Sequence, residues 1–262
     1  MTPAHADRLG LLADAAVRSA ISRELGRRIE HHARVGSTQQ RARSLADAGE
    51  GEVIVVAEEQ SAGHGRQGRA WVAPGGTSLL ASWVFRPLPS DPALFALLAG
   101  VAVARALAEL GVADARLKWP NDVQLSGKKV AGALADAVTS GSAGALVLGI
   151  GVNVLQTPGQ FGDLAALATS CAIEGHPVDR LALLARLTRQ LDRVATSPAE
   201  RASALQEWRA RASMLGREVE VRSATGTALR GLARELADDG SLVLETSGGP
   251  QRILAGEVSL IG

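Results

Sequence analysis

The sequence predicts an α+β fold: a large domain on a mixed sheet, followed by a small β-barrel. Three observations lead there. Helix-period and strand-like segments alternate from residue 8 to residue 212. Near Leu215 the pattern changes to short strands with glycine turns between them. The chain has 262 residues, 46% of them hydrophobic, enough for one large core and one small one. The expected division is 1–212 and 213–262, with no flexible linker at the junction.

The elements follow in order. Residues 8–25 place Leu9, Leu12, Ala16, Ala20 and Leu25 at helical spacing, which predicts one amphipathic helix. Residues 27–35 alternate Ile29, His31, Ala33 and Val35 and read as a weak strand. Ser37-Thr38 caps a helix that runs to Ala48. Val53–Ala57 and Ser78–Phe85 are buried strands. Asp91–Leu110 is a long apolar helix, and Arg116–Trp119 is a short extended piece stopped by Pro120. Asp122–Leu125 and Lys129–Asp136 form a hairpin turning at Ser126-Gly127. Ala145–Val154 is an apolar strand that Gly149 and Gly151 are expected to break. Two helices follow, Val178–Ala195 and Ala199–Ala212. The barrel strands are Arg217–Ser223, Thr227–Ala237, Ser241–Thr246 and Arg252–Leu260, with Asp239-Gly240 as a hairpin turn.

Composition narrows the function. A formal net charge of +1 does not recruit DNA or an anionic membrane by bulk charge. The single cysteine, Cys171, rules out an intramolecular disulfide and a cysteine-based zinc site, and suits the cytoplasm. No apolar run is long enough for a membrane span, and no secretory signal is visible.

Four segments carry the chemistry. The most informative is Gly63-His64-Gly65-Arg66-Gln67-Gly68-Arg69-Ala70-Trp71. Its glycines let the backbone reach positive φ or let a ligand approach. Arg66 and Arg69 bring planar donor forks suited to carboxylate and phosphate. It lacks the lysine of a P-loop, and no βαβ unit surrounds it. Gly36-Ser37-Thr38-Gln39 caps a helix, or binds a polar ligand group at the helix start. Lys118-Trp119-Pro120-Asn121-Asp122 holds a lysine at a strand end, as a surface turn or as a fixed charge; Asp122 reads first as a turn-stabilising carboxylate. Lys128-Lys129-Val130-Ala131-Gly132 and Gly149-Ile150-Gly151-Val152-Asn153 put glycines inside strands, marking a bulge or a close backbone approach. No Ser-His-Asp set and no metal-ligand cluster stands out, so the implied chemistry is electrostatic. Arg66, Arg69, Lys118 and Lys129 would gather around an anion, as attack on phosphorus requires.

In this order these segments resemble the biotin–protein ligases, also called biotin–[acetyl-CoA-carboxylase] ligases, over roughly residues 33–262. G-x-G-R-x-G-R-x-W stands at 63–71, K-W-P-N-D at 118–122, the lysine–Ala-Gly segment at 129–132 and G-x-G-x-N at 149–153. Ala168-Thr169-Ser170 and Gly256-Glu257-Val258-Ser259 also fit. The resemblance implies a catalytic domain of the class II synthetase-like, biotin–lipoate ligase type and an SH3-like barrel. It implies ATP, Mg2+ and biotin as reactants, with a biotin carboxyl carrier domain as acceptor. By position, Ser37, Thr38 and Gln60 would meet the ureido end of biotin, together with the backbone near Gly63 and Gly132. His64, Gly65, Arg66, Gly68 and Arg69 would close over biotin and adenylate. Lys118 would be catalytic with Arg66 and Arg69, Trp71 and Asn153 would help shape the adenine side, and Gln39, Asn121, Lys129, Gly149 and Gly151 would complete the site. The glycines suggest a loop that orders on its ligand.

Three positions depart from the family pattern. His64 replaces an arginine, Gln39 an asparagine, and Asp136 stands for a glutamate. The resemblance further implies a ligase without an operator-binding domain, and a monomer or weak homodimer. A lipoate–protein ligase is the nearest rival; a biotin-sensing repressor and a non-catalytic binding module are weaker ones.

Overall fold

The computed structural model describes residues 7–139, 143–223 and 226–261. Its elements in chain order are α1 (Ala15–Leu25), β1 (Arg28–His32), α2 (Thr38–Asp47), β2 (Val53–Ala57), β3 (Ser78–Phe85), α3 (Leu94–Ala108), β4 (Arg116–Lys118), β5 (Asp122–Leu125), β6 (Lys128–Val138) and β7 (Ala145–Asn153). Then come α4 (Arg180–Thr196), α5 (Pro198–Arg211), β8 (Glu218–Arg222), β9 (Ala228–Leu236), β10 (Leu242–Thr246), β11 (Gly249–Ile253) and β12 (Glu257–Leu260).

The first seven strands form one mixed sheet in the order β1-β2-β3-β7-β6-β5-β4. β1 and β2 are parallel, and every other neighbour in it is antiparallel. One face carries Ile54, Trp83, Leu148, Ile150 and Val152 and packs with α3 and α4 into the main core. The opposite face carries Val53, Val55, Val84 and Val147 under Ala42, Leu45 and Ala46 of α2. Alternation of side chains along each strand produces both faces. The remaining strands form a five-stranded antiparallel sheet in the order β11-β10-β9-β8-β12. It docks through Trp119, which is fully buried and donates from Nε1 to the Gly240 carbonyl at 3.0 Å.

Four expectations are corrected. The helix expected over 8–25 is a 3-10 turn (Leu9–Ala13) and then α1, because the Asp14 carboxylate accepts from the Ala16 and Val17 amides and starts a new helix. The long apolar helix is shorter than Asp91–Leu110. Arg252–Leu260 is two strands, β11 and β12, parted at Gly256, where a Cβ would come within 2.8 Å of Val221. Gly149 and Gly151 do not break β7, which pairs without interruption with β3 and β6.

Candidate active site

The site lies on the α2 face of the large sheet. Cross-strand register puts Lys118, Asp122, Gly132, Gly151 and Leu80 in one row, and Leu134, Gly149 and Ser82 in the next. Paired residues share a face, so Gly132, Gly149 and Gly151 leave a patch of bare backbone in an otherwise clothed sheet. Two side chains rest on it. A Cβ at Gly151 would fall 2.6 Å from the Trp71 ring, and one at Gly132 3.5 Å from it. A Cβ at Gly149 would fall 2.4 Å from Gln39 Oε1. Gly149 and Gly151 are therefore required by approach.

Residues 63–71 fold back as a hairpin. Trp71 donates to the Gly63 carbonyl at 2.9 Å and Gly65 to the Arg69 carbonyl at 2.8 Å. Gln67 and Gly68 turn the tip with φ of 57° and 70°. Of the three glycines only Gly68 needs the left-handed conformation. At Gly63 a Cβ would crowd Gln60 Nε2 at 2.8 Å, whereas Gly65 meets nothing closer than 3.9 Å. His64 bridges to Ala70 and contacts the Ala62 carbonyl.

A relay of hydroxyls and amides borders the floor. Ser82 Oγ donates to Thr38 Oγ1 at 2.9 Å, and Thr38 Oγ1 to Gln60 Oε1 at 3.0 Å. The Thr38 amide also donates to Gln60 Oε1, at 2.7 Å, and Ser37 Oγ caps α2 at the Gln40 amide. Gln39 Nε2 donates to Asp136 Oδ2 at 2.9 Å and to the Val147 carbonyl at 3.1 Å. Two of the departures from the family pattern, Gln39 and Asp136, thus touch each other. Gln39 Oε1 and Trp71 Nε1 are buried and without a partner among the described residues. Unpaired buried polar atoms are expensive, and both lie over the glycine floor.

The cations gather at one side. Lys129 Nζ pairs with Asp122 Oδ1 at 2.6 Å and stands 5.5 Å from the centre of the Trp71 ring. Asp122, expected as a turn-stabilising carboxylate, instead opens β5 and serves as an ion-pair partner. Lys118 lies opposite Asp122 in the register. Arg66 donates from Nη1 to the Gly256 carbonyl at 3.3 Å, and Arg69 pairs with Glu257. Burial pulls the Arg66 guanidinium below its usual value, while Glu257 and Asp122 oppose that shift. The second sheet thus supplies the segment that holds both loop arginines.

Two predicted residues have structural partners. Asn121 Nδ2 donates to the Ala133 carbonyl at 2.6 Å and ties the turn to β6. Asn153 is 4% exposed, donates to the Thr169 carbonyl and accepts from Gln156. Ser82 and Gln156 were missed; a serine inside the run Ser78–Phe85 was the available signal for Ser82. A cavity of about 780 Å³ lies at the far end of the sheet, between Arg27, Phe85, Arg86, Asp192 and Arg209. Its Arg27 is paired with Glu52 and Asp192 and its Arg209 with Asp238, while Arg86 donates to the Ala46 carbonyl and Arg201 to the Val194 and Ala195 carbonyls.

Residues 32–153 match the biotin/lipoate A/B protein ligase family, and residues 214–261 match the biotin protein ligase C terminal domain. The chain is 37% identical to a biotin--[acetyl-CoA-carboxylase] ligase of Paracoccus denitrificans, over 86% of this chain and 98% of that one. It is 32% identical to the bifunctional ligase/repressor BirA of Bacillus subtilis, over 96% of this chain and 80% of the relative. The biotin protein ligase of Aquifex aeolicus, solved with biotin and ATP, superposes with a TM-score of 0.73 at 29% identity, covering 89% of this chain and 98% of that one.

Proposed function

The chain belongs to the biotin/lipoate A/B protein ligase family, and from that premise we propose how it acts as an ATP-dependent biotin ligase. It activates biotin as biotinyl-5′-AMP and transfers it to a specific lysine of a biotin carboxyl carrier domain. The observation that carries the choice of substrate is the polar rim of the glycine floor. A ureido ring is flat and offers two N–H donors and one carbonyl acceptor. Gln39 Oε1 and Ser82 Oγ present acceptors over Gly149, Gln60 Nε2 lies beside Gly63 as a donor, and Trp71 supplies a flat wall. A lipoate ring has no N–H, so it would leave the buried acceptor unpaired.

In the first step a biotin carboxylate oxygen attacks the α-phosphorus of ATP. The bond to the bridging oxygen breaks and pyrophosphate leaves. Arg66, Arg69, Lys118 and Lys129 stabilise the charge that spreads over the phosphoryl oxygens. Lys129 and Lys118 flank Asp122 at the edge of the floor, which supports their assignment beside the carboxylate and phosphate. In the second step the uncharged amine of the carrier lysine attacks the acyl carbon, AMP departs with the bonding pair, and the nitrogen releases one proton to solvent. Lys118 then faces the developing charge on the acyl oxygen. Arg69 leaves or shares Glu257 to reach a ligand. Burial pushes the Cys171 thiol up to about 12, so it serves as no nucleophile. Among the described residues no group of three acidic, histidine or cysteine side chains could hold a metal ion. Magnesium would arrive bound to the nucleotide phosphates and neutralise part of their charge.

The proposed partners are biotin, ATP and the carrier domain, with the chain acting as a monomer or weak homodimer in the cytoplasm. No helix among the described residues is long and apolar enough to cross a membrane. Operator DNA is left out on the strength of the small net charge, and a salt-sensitive complex with duplex DNA would add it. To test the activity, the protein is incubated with biotin, magnesium-ATP and a carrier domain. Mass spectrometry is expected to find biotin on the carrier lysine; no adduct, or one formed only from lipoate, overturns the assignment.

A further inference from the structure

We propose that Asp136 is a positioning residue that locks the Gln39 amide, so that the glycine floor at Gly149 carries a carbonyl oxygen and selects ligands that donate an N–H. The proposal rests on the biotin reading above and adds the device that sets its selectivity.

Gln39 is 5% exposed, so its amide chooses its orientation without help from bulk water. Its Nε2 faces two groups that only accept, the Asp136 carboxylate at 2.9 Å and the Val147 carbonyl at 3.1 Å. A flipped amide would set Oε1 against two oxygens, and that orientation is strongly disfavoured. The two acceptors belong together, because Asp136 and Val147 are register partners across β6 and β7. With the nitrogen committed, Oε1 takes the space that the missing Gly149 side chain leaves, and it stays buried with no partner among the described residues. Nearby, Ser82 Oγ and Thr38 Oγ1 donate along the relay toward Gln60 and away from the Gln39 oxygen. A ligand N–H is the group this geometry lacks.

Gln39 and Asp136 also divide one span between them. The reach from α2 to β6 is one glutamine plus one aspartate, and an asparagine plus a glutamate would cover the same number of bonds. Exchanging the methylene between the partners tests the pair without changing its chemistry. Gln39→Asn and Asp136→Glu are each expected to raise the calorimetric Kd and the KM for biotin about tenfold, as loss of one hydrogen bond to a charged group would. KM for ATP and kcat are expected to stay within about twofold. The double variant is expected to return to within about threefold of wild type. Near-wild-type singles, or a double variant about a hundredfold weakened, overturn the proposal. So does a loss shared equally by kcat and the ATP KM, which marks a merely structural role. If a single variant fails to fold in thermal melts, Asp136→Asn, which keeps the side-chain shape, replaces it with the same tenfold expectation. Wild-type protein that binds no biotin overturns the functional assignment and this proposal together. Wild-type binding with unmoved variants overturns this proposal alone.

Discussion

The two faces of β7 differ as much as any two regions of the molecule. Leu148, Ile150 and Val152 point into the main core among Trp83, Ala81 and Leu79. Gly149 and Gly151, interleaved with them, leave bare backbone for Gln39 and Trp71. One strand thus anchors the fold with its even positions and opens the site with its odd ones. In the proposed site, binding and stability are separable at single-residue spacing, because neighbouring side chains never share a face.

That separation can be broken from either side. The largest expected effect is on the site face: Lys129→Ala and Lys118→Ala should each slow adenylate formation about 10²–10³-fold. Circular dichroism should remain native, and wild-type pyrophosphate release in either variant removes that lysine from the mechanism. Next come neighbours on β7. Gly151→Val places a side chain where the Trp71 ring lies and should cost about 100-fold in biotinylation. Ile150→Ala should instead lower stability by about 2–5 kcal/mol in denaturant titrations and leave the biotin KM in place. Equal effects on activity and stability in both would erase the distinction between the faces. A smaller change is expected at the loop. His64→Arg adds a fixed positive charge and should slow release of bound biotinyl-5′-AMP about tenfold, followed by filter retention; an unchanged rate leaves His64 out of adenylate retention.

The smallest effect lies at the outer edge of the site face. The Arg41 guanidinium beside Glu30, helped by His32, holds that carboxyl down to about 2 from its usual 4.5. A depressed folded value stabilises the protein above the unfolded value and loses that contribution as pH falls through the folded one. Arg41→Ala should therefore lower stability by about 1 kcal/mol or less at neutral pH. The gap to wild type should close as pH drops from about 4.5 toward 2; a gap that persists at pH 2 contradicts the link.

Much of this was legible in the chain. Val53–Ala57 and Ser78–Phe85 stand within the bounds read from their apolar runs. The helix cap at Ser37 and the hairpin at Ser126-Gly127 follow from local hydrogen-bonding chemistry and turn geometry. The break at Asp14 is not legible in the helix read over 8–25, because a helical period does not reveal a carboxylate that restarts the helix. Gly149 and Gly151 carried the signal of a bulge or a close approach, and nothing in their spacing chose between the two or named Gln39 and Trp71 as the groups approaching.

The sequence by itself determined most of the elements, because periodicity, capping and turn preference act over a few residues, and the order of its motifs carried the resemblance to the family. Only the tertiary structure decided which motifs meet. Gln39 and Asp136 are 97 residues apart, and Arg66 reaches Gly256 across 190. Those meetings depend on β7 lying between β3 and β6 and on the second sheet docking through Trp119. Such long-range neighbours are chosen by burial summed over the whole core.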